Sequence, residues 1–256
     1  MAAPTRWKAL AAAGAGAAGF MAWAVRGRSS QVFGPSIWRG SRERRALALT
    51  FDDGPSEGTP RVLEILDRQG VRATFFQIGA NVDRLPGAAR AVREAGHAIG
   101  NHSYRHLLFC NPRFGFPPGG AIEQDLRRAQ DAIAEHTGAA PVWFRAPYGV
   151  RWFGLRGALR RLDLRAVMWT VIGYDWNETG SGGRSAAGRV AARVVSGVSS
   201  GAIICLHDGR ELRERPDIGV TLEALRRLVP LLLDQGYEFE TLDNLLCPPK
   251  NSRNAS

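Results

Sequence analysis

Cysteine is scarce in this sequence. The 256 residues include three cysteines, Cys110, Cys205 and Cys247, which are widely spaced and form no C-x-x-C pair. This spacing indicates neither a thiolate zinc site nor a disulfide framework. Cys205 lies within an apolar run of strand length, where a cysteine is most simply a small core residue.

Most of the chain has almost no net charge, although the whole chain carries +10. Residues 1–45 contribute +7 and the tail 247–256 contributes +2, which leaves +1 for residues 46–246. A near-neutral body argues against a nucleic-acid partner, because proteins bind backbone phosphates through basic surfaces. The basic N-terminal segment fits a membrane surface or an anionic envelope polymer better.

Long apolar runs are also missing, apart from one near the N-terminus. Arg6 and Lys8 precede residues 9–25, an uncharged run of 17 residues that is rich in alanine and glycine. This length is the lower limit for a membrane-spanning helix, and a basic segment before an apolar one is typical of an export signal. We therefore expect residues 1–26 to be a signal peptide or signal anchor, and the catalytic body to be exported or membrane-anchored. Residues 27–45 are predicted to be a basic linker.

From residue 46 onward, short apolar segments alternate with helical segments, a pattern typical of a parallel sheet wrapped by helices. The predicted strands are residues 47–51, 73–78, 98–101, 142–145, 166–171, 202–206 and 237–241. The predicted helices are residues 59–68, 87–94, 121–136, 186–195 and 222–234. A Phe- and Pro-rich insertion at residues 107–120 interrupts the pattern. We expect one α/β domain over residues 46–246, followed by a polar tail over 247–256.

Reactive polar residues follow five of the predicted strands. In chain order these are Asp52 and Asp53, then His102 and His106, then Arg145 with Tyr148, then Asp175 and Trp176, and finally His207 and Asp208. In a βα barrel the carboxyl ends of the strands share one mouth, so we expect these side chains to converge there.

Two histidines four residues apart suit a divalent metal ion. The spacing of His102 and His106 predicts two imidazoles on one side of a helical turn. A carboxylate from the pair Asp52 and Asp53 would complete a site of two histidines and one acid, with open positions for water and substrate. The other carboxylate would be placed to act as a base, although spacing does not say which acid has which role. Zn²⁺ is the default metal, and Co²⁺, Ni²⁺, Mn²⁺ or Fe²⁺ would fit the same ligands.

These residues lie in segments that resemble the five ordered motifs of the polysaccharide deacetylases, carbohydrate esterase family 4. The segments are Thr50-Phe51-Asp52-Asp53-Gly54-Pro55, His102-Ser103-Tyr104-Arg105-His106, Arg145-Ala146-Pro147-Tyr148-Gly149, Asp175-Trp176 and Leu206-His207-Asp208. Five motifs in the right order are a specific signal. The resemblance covers residues 46–246 and implies a distorted (β/α)7-type barrel, here preceded by the N-terminal apolar segment, that performs metal-dependent amide hydrolysis.

The resemblance also implies roles for the groups around the metal. Asp53, His102 and His106 correspond to the metal ligands of the family. Asp52 corresponds to the catalytic base, and Arg145 to the residue that pairs with this base and keeps it ionised.

The remaining roles concern the substrate. The Tyr148 backbone N–H corresponds to the oxyanion donor, and His207 to the general acid that protonates the leaving amine. Asp175 corresponds to the residue that tunes this histidine, since an anionic partner raises the pKa of an imidazole. Trp176 and Leu206 would line the pocket for the acetyl methyl group.

The expected function is therefore the N-deacetylation of N-acetylhexosamine residues in an envelope polysaccharide or a chitooligosaccharide, with release of acetate. One alternative keeps the chemistry but acts on a lipid-linked amino sugar at the membrane, as a deacetylase or deformylase. Another alternative is a non-catalytic carbohydrate-binding relative, and the presence of every reactive residue argues against it. We expect an N-acetylated glycan as the partner, and the sequence does not indicate an oligomeric state.

Overall fold

The computed structural model describes residues 3–111, 113, 119–177 and 183–247. Its strands are β1 (Ser36–Ile37), β2 (Ala46–Gly54), β3 (Thr74–Gln77), β4 (Ala98–Asn101), β5 (Trp143–Phe144), β6 (Arg165–Val167), β7 (Val171–Ile172), β8 (Ile203–His207) and β9 (Glu238–Phe239). Its helices are α1 (Ala3–Arg26), α2 (Thr59–Arg68), α3 (Gly79–Arg84), α4 (Pro86–Glu94), α5 (Gly119–Thr137), α6 (Leu155–Arg161), α7 (Gly183–Gly197), α8 (Gly219–Asp234) and α9 (Leu242–Leu246). Part of the predicted insertion and most of the predicted tail lie outside the described residues.

Eight strands form one sheet in the order β1-β6-β5-β4-β3-β2-β8-β7, and β9 pairs with the start of β2. Every neighbouring pair of these strands is parallel. The sheet curls into a half-barrel, which confirms the predicted parallel α/β architecture and is consistent with the barrel of the polysaccharide deacetylases. Its carboxyl edge therefore gathers the loops that follow each strand.

The strand predicted over residues 166–171 is two strands in the structure. β6 lies between β5 and β1, whereas β7 pairs with β8 at the other end of the sheet. Between them, Met168 N–H donates to the Ile37 carbonyl at 2.7 Å, and Thr170 N–H donates to the Ile203 carbonyl at 2.8 Å. Residues 168–170 thus join the two sides of the curled sheet. Ala166, Val167 and Met168 on one side of the break and Val171 on the other are all buried, so the apolar pattern gives no sign of the break.

The two faces of β2 pack into different parts of the core. Successive side chains of a strand point to opposite faces. Leu47, Leu49 and Phe51 belong to the large cluster that also contains buried residues of α2, α7 and α8. Ala46 and Ala48 belong to a second cluster with Phe76, Trp143, Val167 and Ile203, which come from four other strands. The inner face of β2 therefore continues through residues 50 and 52 toward the carboxyl edge.

Residues 27–45, which we predicted to be a linker, are part of the packed fold. β1 adds to the sheet through its pairing with β6. The side chain of Arg151, 1% exposed, donates to the Ser30 carbonyl at 2.6 Å, to Ser36 Oγ at 2.8 Å and to the Gly27 carbonyl. A strand of two residues has too few positions to show an alternating pattern, so the sequence does not reveal it.

The N-terminal apolar run forms most of α1. The side chains of residues 11–23 are exposed, and Ala24, near the end of the helix, is fully buried. Within the part of the chain that the structure describes, no helix has both the length and the apolarity needed to span a membrane. The signal-peptide or anchor role of residues 1–26 remains a prediction.

Candidate metal centre and active site

The end of β2 places two adjacent carboxylates in different directions. The alternation of the strand puts Asp52 on the inner face with Thr50. The register of β2 against β3 then shifts between Asp52 and Gly54, and Asp53 has a positive φ of 72°. This irregularity turns Asp53 away from the regular alternation. Two neighbouring acids therefore reach two different sets of partners, and both are buried.

Asp53 lies against the two predicted ligand histidines. Its Oδ1 is 3.4 Å from His102 Nε2 and 3.1 Å from His106 Nε2. All three residues are buried, and one ligand atom from each lies within 4.8 Å of the other two. Burial alone would raise the pKa of Asp53, but the histidines, His106 first, hold that pKa well below its ordinary value. The structure thus brings the three predicted metal ligands together.

The segment that carries the histidines is a loop and not the helical turn that we predicted. Ser103 and His106 have positive φ angles of 65° and 52°. Ser103 N–H donates to Asn101 Oδ1 at 2.8 Å, and His106 N–H donates to Ser103 Oγ at 3.1 Å. These side-chain hydrogen bonds hold the loop in a conformation that i, i+4 spacing on a helix does not describe. The two imidazoles still meet, with ring centroids 4.9 Å apart.

The orientation of the rings fits a metal ion. His102 Nδ1 lies 2.9 Å from the Arg145 carbonyl, which only accepts hydrogen bonds, so the contact favours the tautomer with the proton on Nδ1 and leaves Nε2 to face the other two ligand residues. With metal–ligand distances of about 2.0–2.1 Å, the ligand atoms of a tetrahedral zinc site lie about 3.3 Å apart. The distances of 3.4 and 3.1 Å from Asp53 Oδ1 to the histidines match this spacing. Two imidazole nitrogens and one carboxylate oxygen are also a donor set of catalytic zinc sites.

Asp52 is paired with a fully buried arginine. Arg145 Nη1 donates to Asp52 Oδ1 at 2.7 Å and to Thr50 Oγ1 at 2.8 Å. Arg145 also donates through Nη2 to the Met168 carbonyl at 3.1 Å and lies over the Phe76 ring. These contacts fix the guanidinium in the interior of the curled sheet. Removal of either charged partner would leave the other buried and uncompensated.

His207 is held by Asp175 on the other side of the centre. Asp175 Oδ1 lies 3.0 Å from His207 Nδ1, and Oδ2 accepts the His207 N–H at 2.9 Å and the Thr221 hydroxyl at 2.6 Å. Burial alone would lower the pKa of His207, but Asp175 raises that pKa to about 9. Burial likewise opposes the ionisation of Asp175, and His207 reverses this effect, so the pKa of Asp175 is lowered. The imidazole is thus cationic at neutral pH, with Nε2–H as its remaining donor.

Tyr148 lies in a single 3-10 turn over Pro147–Gly149 and has a left-handed backbone, with φ 56° and ψ 12°. Its ring contacts His106, with centroids 4.7 Å apart, and its hydroxyl donates to Glu211 Oε1 at 3.0 Å. Burial and Glu211 raise the pKa of this hydroxyl above its ordinary value, so it stays protonated. The Tyr148 side chain therefore lies next to the ligand candidate His106, and the oxyanion role of its backbone N–H remains a prediction.

Of the two residues predicted to line an acetyl pocket, one lines the cavity at the site and the other does not. Trp176 lines a cavity of about 870 Å³ that also contains Asp52, Asp53 and His207, and its ring meets the His207 ring edge to face with centroids 4.5 Å apart. Leu206 is fully buried in the core and is not among the described residues that line this cavity. Side chains alternate along β8, so His207 reaches the cavity while Leu206 points to the opposite face. Contrary to our prediction, Leu206 therefore does not line this cavity.

Three residues of the site have no sequence motif of their own. Glu211 N–H donates to Asp53 Oδ2 at 3.0 Å and so fixes the second oxygen of that carboxylate. Thr221, at the start of α8, orients Asp175. Cys205 Sγ lies 3.4 Å from Asp52 Oδ2. Cys205 and Glu211 flank the Leu206-His207-Asp208 motif, and this closeness is the only sequence signal for them, whereas Thr221 lies further along the chain and has none.

Asp52, Cys205 and His207 form a second group of possible ligand atoms within 4.8 Å of one another. This group is a weaker metal site than the first. Burial raises the pKa of the Cys205 thiol well above its ordinary value, and a metal requires the thiolate. Asp52 and His207 are already engaged by Arg145 and Asp175.

Comparison with known proteins agrees with this geometry. The sequence profile of the family described as polysaccharide deacetylase matches residues 39–167. A peptidoglycan-N-acetylglucosamine deacetylase, PgdA of Listeria monocytogenes, is 33% identical over 217 residues, which are 84% of this chain and 42% of the Listeria protein. The chain thus spans less than half of that relative. A chitooligosaccharide deacetylase of Bradyrhizobium is 33% identical over 211 residues, which are 78% of this chain and 90% of that protein.

A solved structure has the same fold. It is a mutant, with restored enzymatic activity, of BA3943, a carbohydrate esterase family 4 pseudoenzyme from Bacillus anthracis. The TM-score is 0.71 and the identity 28%, over 84% of this chain and 72% of the other. The chain belongs to the polysaccharide deacetylase family, within carbohydrate esterase family 4.

Proposed function

We propose that this protein is a metal-dependent N-deacetylase that hydrolyses the acetamide of N-acetylglucosamine-type residues in a cell-envelope glycan. The observation that carries the proposal is the convergence of three elements in one cavity. These are the Asp53–His102–His106 group, the Asp52–Arg145 pair and the His207–Asp175 pair. The relatives named for peptidoglycan and chitooligosaccharide deacetylation support the choice of substrate.

A divalent ion held by Asp53, His102 and His106 would supply Lewis acidity toward the acetamide carbonyl and toward a water molecule. The family is generally metal-dependent, and the ligand set fits Zn²⁺, with Co²⁺, Ni²⁺, Mn²⁺ and Fe²⁺ as further candidates. The residues around these three ligands would perform the proton transfers and stabilise the oxyanion.

Asp52 takes the proton of the attacking water in this proposal. Arg145 contacts Asp52 Oδ1, which leaves Oδ2 as the basic atom, next to the Cys205 thiol. The Tyr148 backbone N–H donates to the developing oxyanion, for which a fixed dipole gives the greatest benefit. His207 donates the Nε2 proton to the leaving nitrogen, since Asp175 keeps this imidazole protonated at neutral pH. The C–N bond then breaks, and acetate and a free amine leave.

Acetate release tests this proposal. Protein loaded with Zn²⁺ or Co²⁺ is incubated with peptidoglycan and with chitooligosaccharides, and acetate is measured. We expect release by the wild type and a loss of about 10²-fold or more in Asp52→Asn, since a general base contributes about that much. Asp67→Asn, a change of the same kind on the exposed surface of α2, should retain full activity. Metal-loaded wild type that releases no acetate from any of these glycans would reject the substrate class.

The Asp52→Asn result also separates an enzyme from a non-catalytic carbohydrate-binding relative. A binding protein would show no acetate release in either form while both forms bind the glycan equally.

An exported or membrane-anchored location is a further part of the proposal, supported by the basic and apolar N-terminal segment. Cell fractionation of the full chain checks this location, and recovery in the cytosol alone would contradict it.

The lipid-linked alternative predicts that the enzyme prefers an amino sugar presented on a phospholipid vesicle to a soluble oligosaccharide.

A further inference from the structure

One wall of the cavity comes from the N-terminal segment, outside the residues that match the family profile. That match begins at residue 39, whereas Arg26 and Arg28 line the cavity together with Asp52 and His207. The segment is fixed in place, because Arg151 donates to two of its carbonyls and the Arg151 N–H donates to the Val25 carbonyl at 3.1 Å. These hydrogen bonds thus hold the wall in a fixed position in the fold.

The two arginines of this wall present charge to the cavity. Arg28 Nη1 donates to the Thr170 carbonyl, and the guanidinium lies 5.1 Å from the centre of the Trp38 ring, so its position is set while the residue stays exposed. Arg26 is exposed at the end of α1. Among the ion pairs of the described residues, none involves Arg26 or Arg28. Both therefore have hydrogen-bond donors left for a ligand.

A second pair of arginines lines the same cavity from the loop after β8. These are Arg210, which donates to the Asp175 carbonyl at 3.2 Å, and the exposed Arg213. The two acids that line the inner part of the cavity already have partners: Asp52 has Arg145, and Asp53 has the two ligand histidines.

Two further acids line the cavity. Glu211 accepts the Tyr148 hydroxyl, and Asp217 accepts a backbone N–H of its own turn. Four arginines against two remaining carboxylates give the rim an excess of about two positive charges. A neutral oligosaccharide has no negative charge that would balance this excess positive charge.

We propose that Arg26 and Arg28, with Arg210 and Arg213 opposite, bind a negatively charged substituent of the glycan, so that the enzyme prefers an anionic N-acetylhexosamine substrate to a neutral chitooligosaccharide. The inference rests on the proposed deacetylase function and refines its substrate. Guanidinium groups recognise carboxylate and phosphate through paired hydrogen bonds, and either group provides the required charge. A carboxylate would come from the lactyl or peptide part of peptidoglycan, and a phosphate from a sugar phosphate.

The test compares three ligands of the same sugar type: N,N′-diacetylchitobiose, its analogue with N-acetylmuramic acid in place of one sugar, and N-acetylglucosamine 1-phosphate. Binding to the full chain is measured calorimetrically at low salt in the presence of a chelator, where hydrolysis does not interfere. In parallel, kcat/KM is measured with metal on neutral and on carboxylate-bearing oligosaccharides. The variants are the double change Arg26→Gln with Arg28→Gln, the charge-conserving Arg28→Lys, and Arg93→Gln on the outer surface of α4 as a control for the loss of a surface charge away from the cavity.

We expect at least one anionic ligand to bind more tightly than the neutral one, and we expect the anionic-to-neutral ratio to fall about tenfold in the double variant. Arg28→Lys should keep part of the ratio, because the charge stays while the paired hydrogen bonds of the guanidinium are lost. Arg93→Gln should keep all of the ratio, and added salt should reduce it. The carboxylate and phosphate arms identify which anion is recognised. Equal binding of all three ligands, or an unchanged ratio in the double variant, would overturn the inference. Acetate release that fails on every glycan would instead reject the deacetylase, while the binding arm still decides the anion site.

Discussion

Replacement of Asp175 by asparagine removes the negative charge beside His207 and keeps a side chain of the same size. Asp175 raises the pKa of His207 from 6.5 to about 9 against the effect of burial. Asp53 and Asp52 also raise this pKa and burial lowers it, so without the Asp175 charge the pKa of His207 falls toward its ordinary value of 6.5. A return to 6.5 would lower the protonated fraction of His207 at pH 7.5 from about 97% to about 9%, so a step that needs the proton would slow about tenfold.

The assay is the dependence of kcat on pH, together with the NMR titration of His207. In the wild type, activity should decline on the alkaline side as His207 loses its proton, and in Asp175→Asn this decline should move to lower pH. Thr221→Val is the matched control, because it removes a neutral hydrogen bond to Asp175 and leaves the charge. An alkaline limb at the same pH in Asp175→Asn and in the wild type would refute the assignment of His207 as the proton donor.

Three further predictions concern the folded state, and unfolding in urea measures each. The raised pKa of His207 gives stability that is complete below pH 6.5 and is lost as pH rises through 9; the loss is about 3 kcal/mol in metal-free wild type and smaller in Asp175→Asn, where only Asp53 and Asp52 still raise this pKa. Arg151→Met should cost about 3 kcal/mol, because buried acceptors lose their donor, whereas Arg156→Met, whose side chain is exposed, should cost about 0.5 kcal/mol; equal costs would contradict the buried tether. Gly100→Ala should cost about 1–3 kcal/mol, since its Cβ would lie 2.4 Å from Phe76 Cδ1, whereas Gly87→Ala in open space should be neutral or stabilising.

The sequence predicts the location of the site because parallel strands open at one edge. Asp52, His102, Arg145, Asp175 and His207 each follow an apolar segment, and the structure places all five around one cavity or in contact with residues that line it. The helix predicted over residues 59–68 coincides with α2. Alternation of apolar segments and helices is a strong local signal, and it fixes most of the architecture without any long-range information.

Other features depend on contacts that local patterns do not contain. The histidine loop is not helical, because Ser103 and His106 adopt positive φ angles that hydrogen bonds within the loop support. Glu211 and Thr221 join the site only through the fold. The N-terminal wall also depends on a long-range contact. The buried Arg151, more than a hundred residues away in sequence, holds residues 27–45 in place, and no pattern within those residues predicts this contact.

Metal binding by the full chain tests the central claim most directly. Metal-free protein is titrated with Zn²⁺, and the stoichiometry and affinity are compared for the wild type, His102→Ala, His207→Ala and His136→Ala, the last a histidine paired with Asp83 away from the site. The account predicts one ion per chain for the wild type, His207→Ala and His136→Ala, and a loss of at least about 100-fold in affinity for His102→Ala alone. Equal affinity in all four proteins, or equal loss in His102→Ala and His207→Ala, would contradict a metal centre at Asp53, His102 and His106.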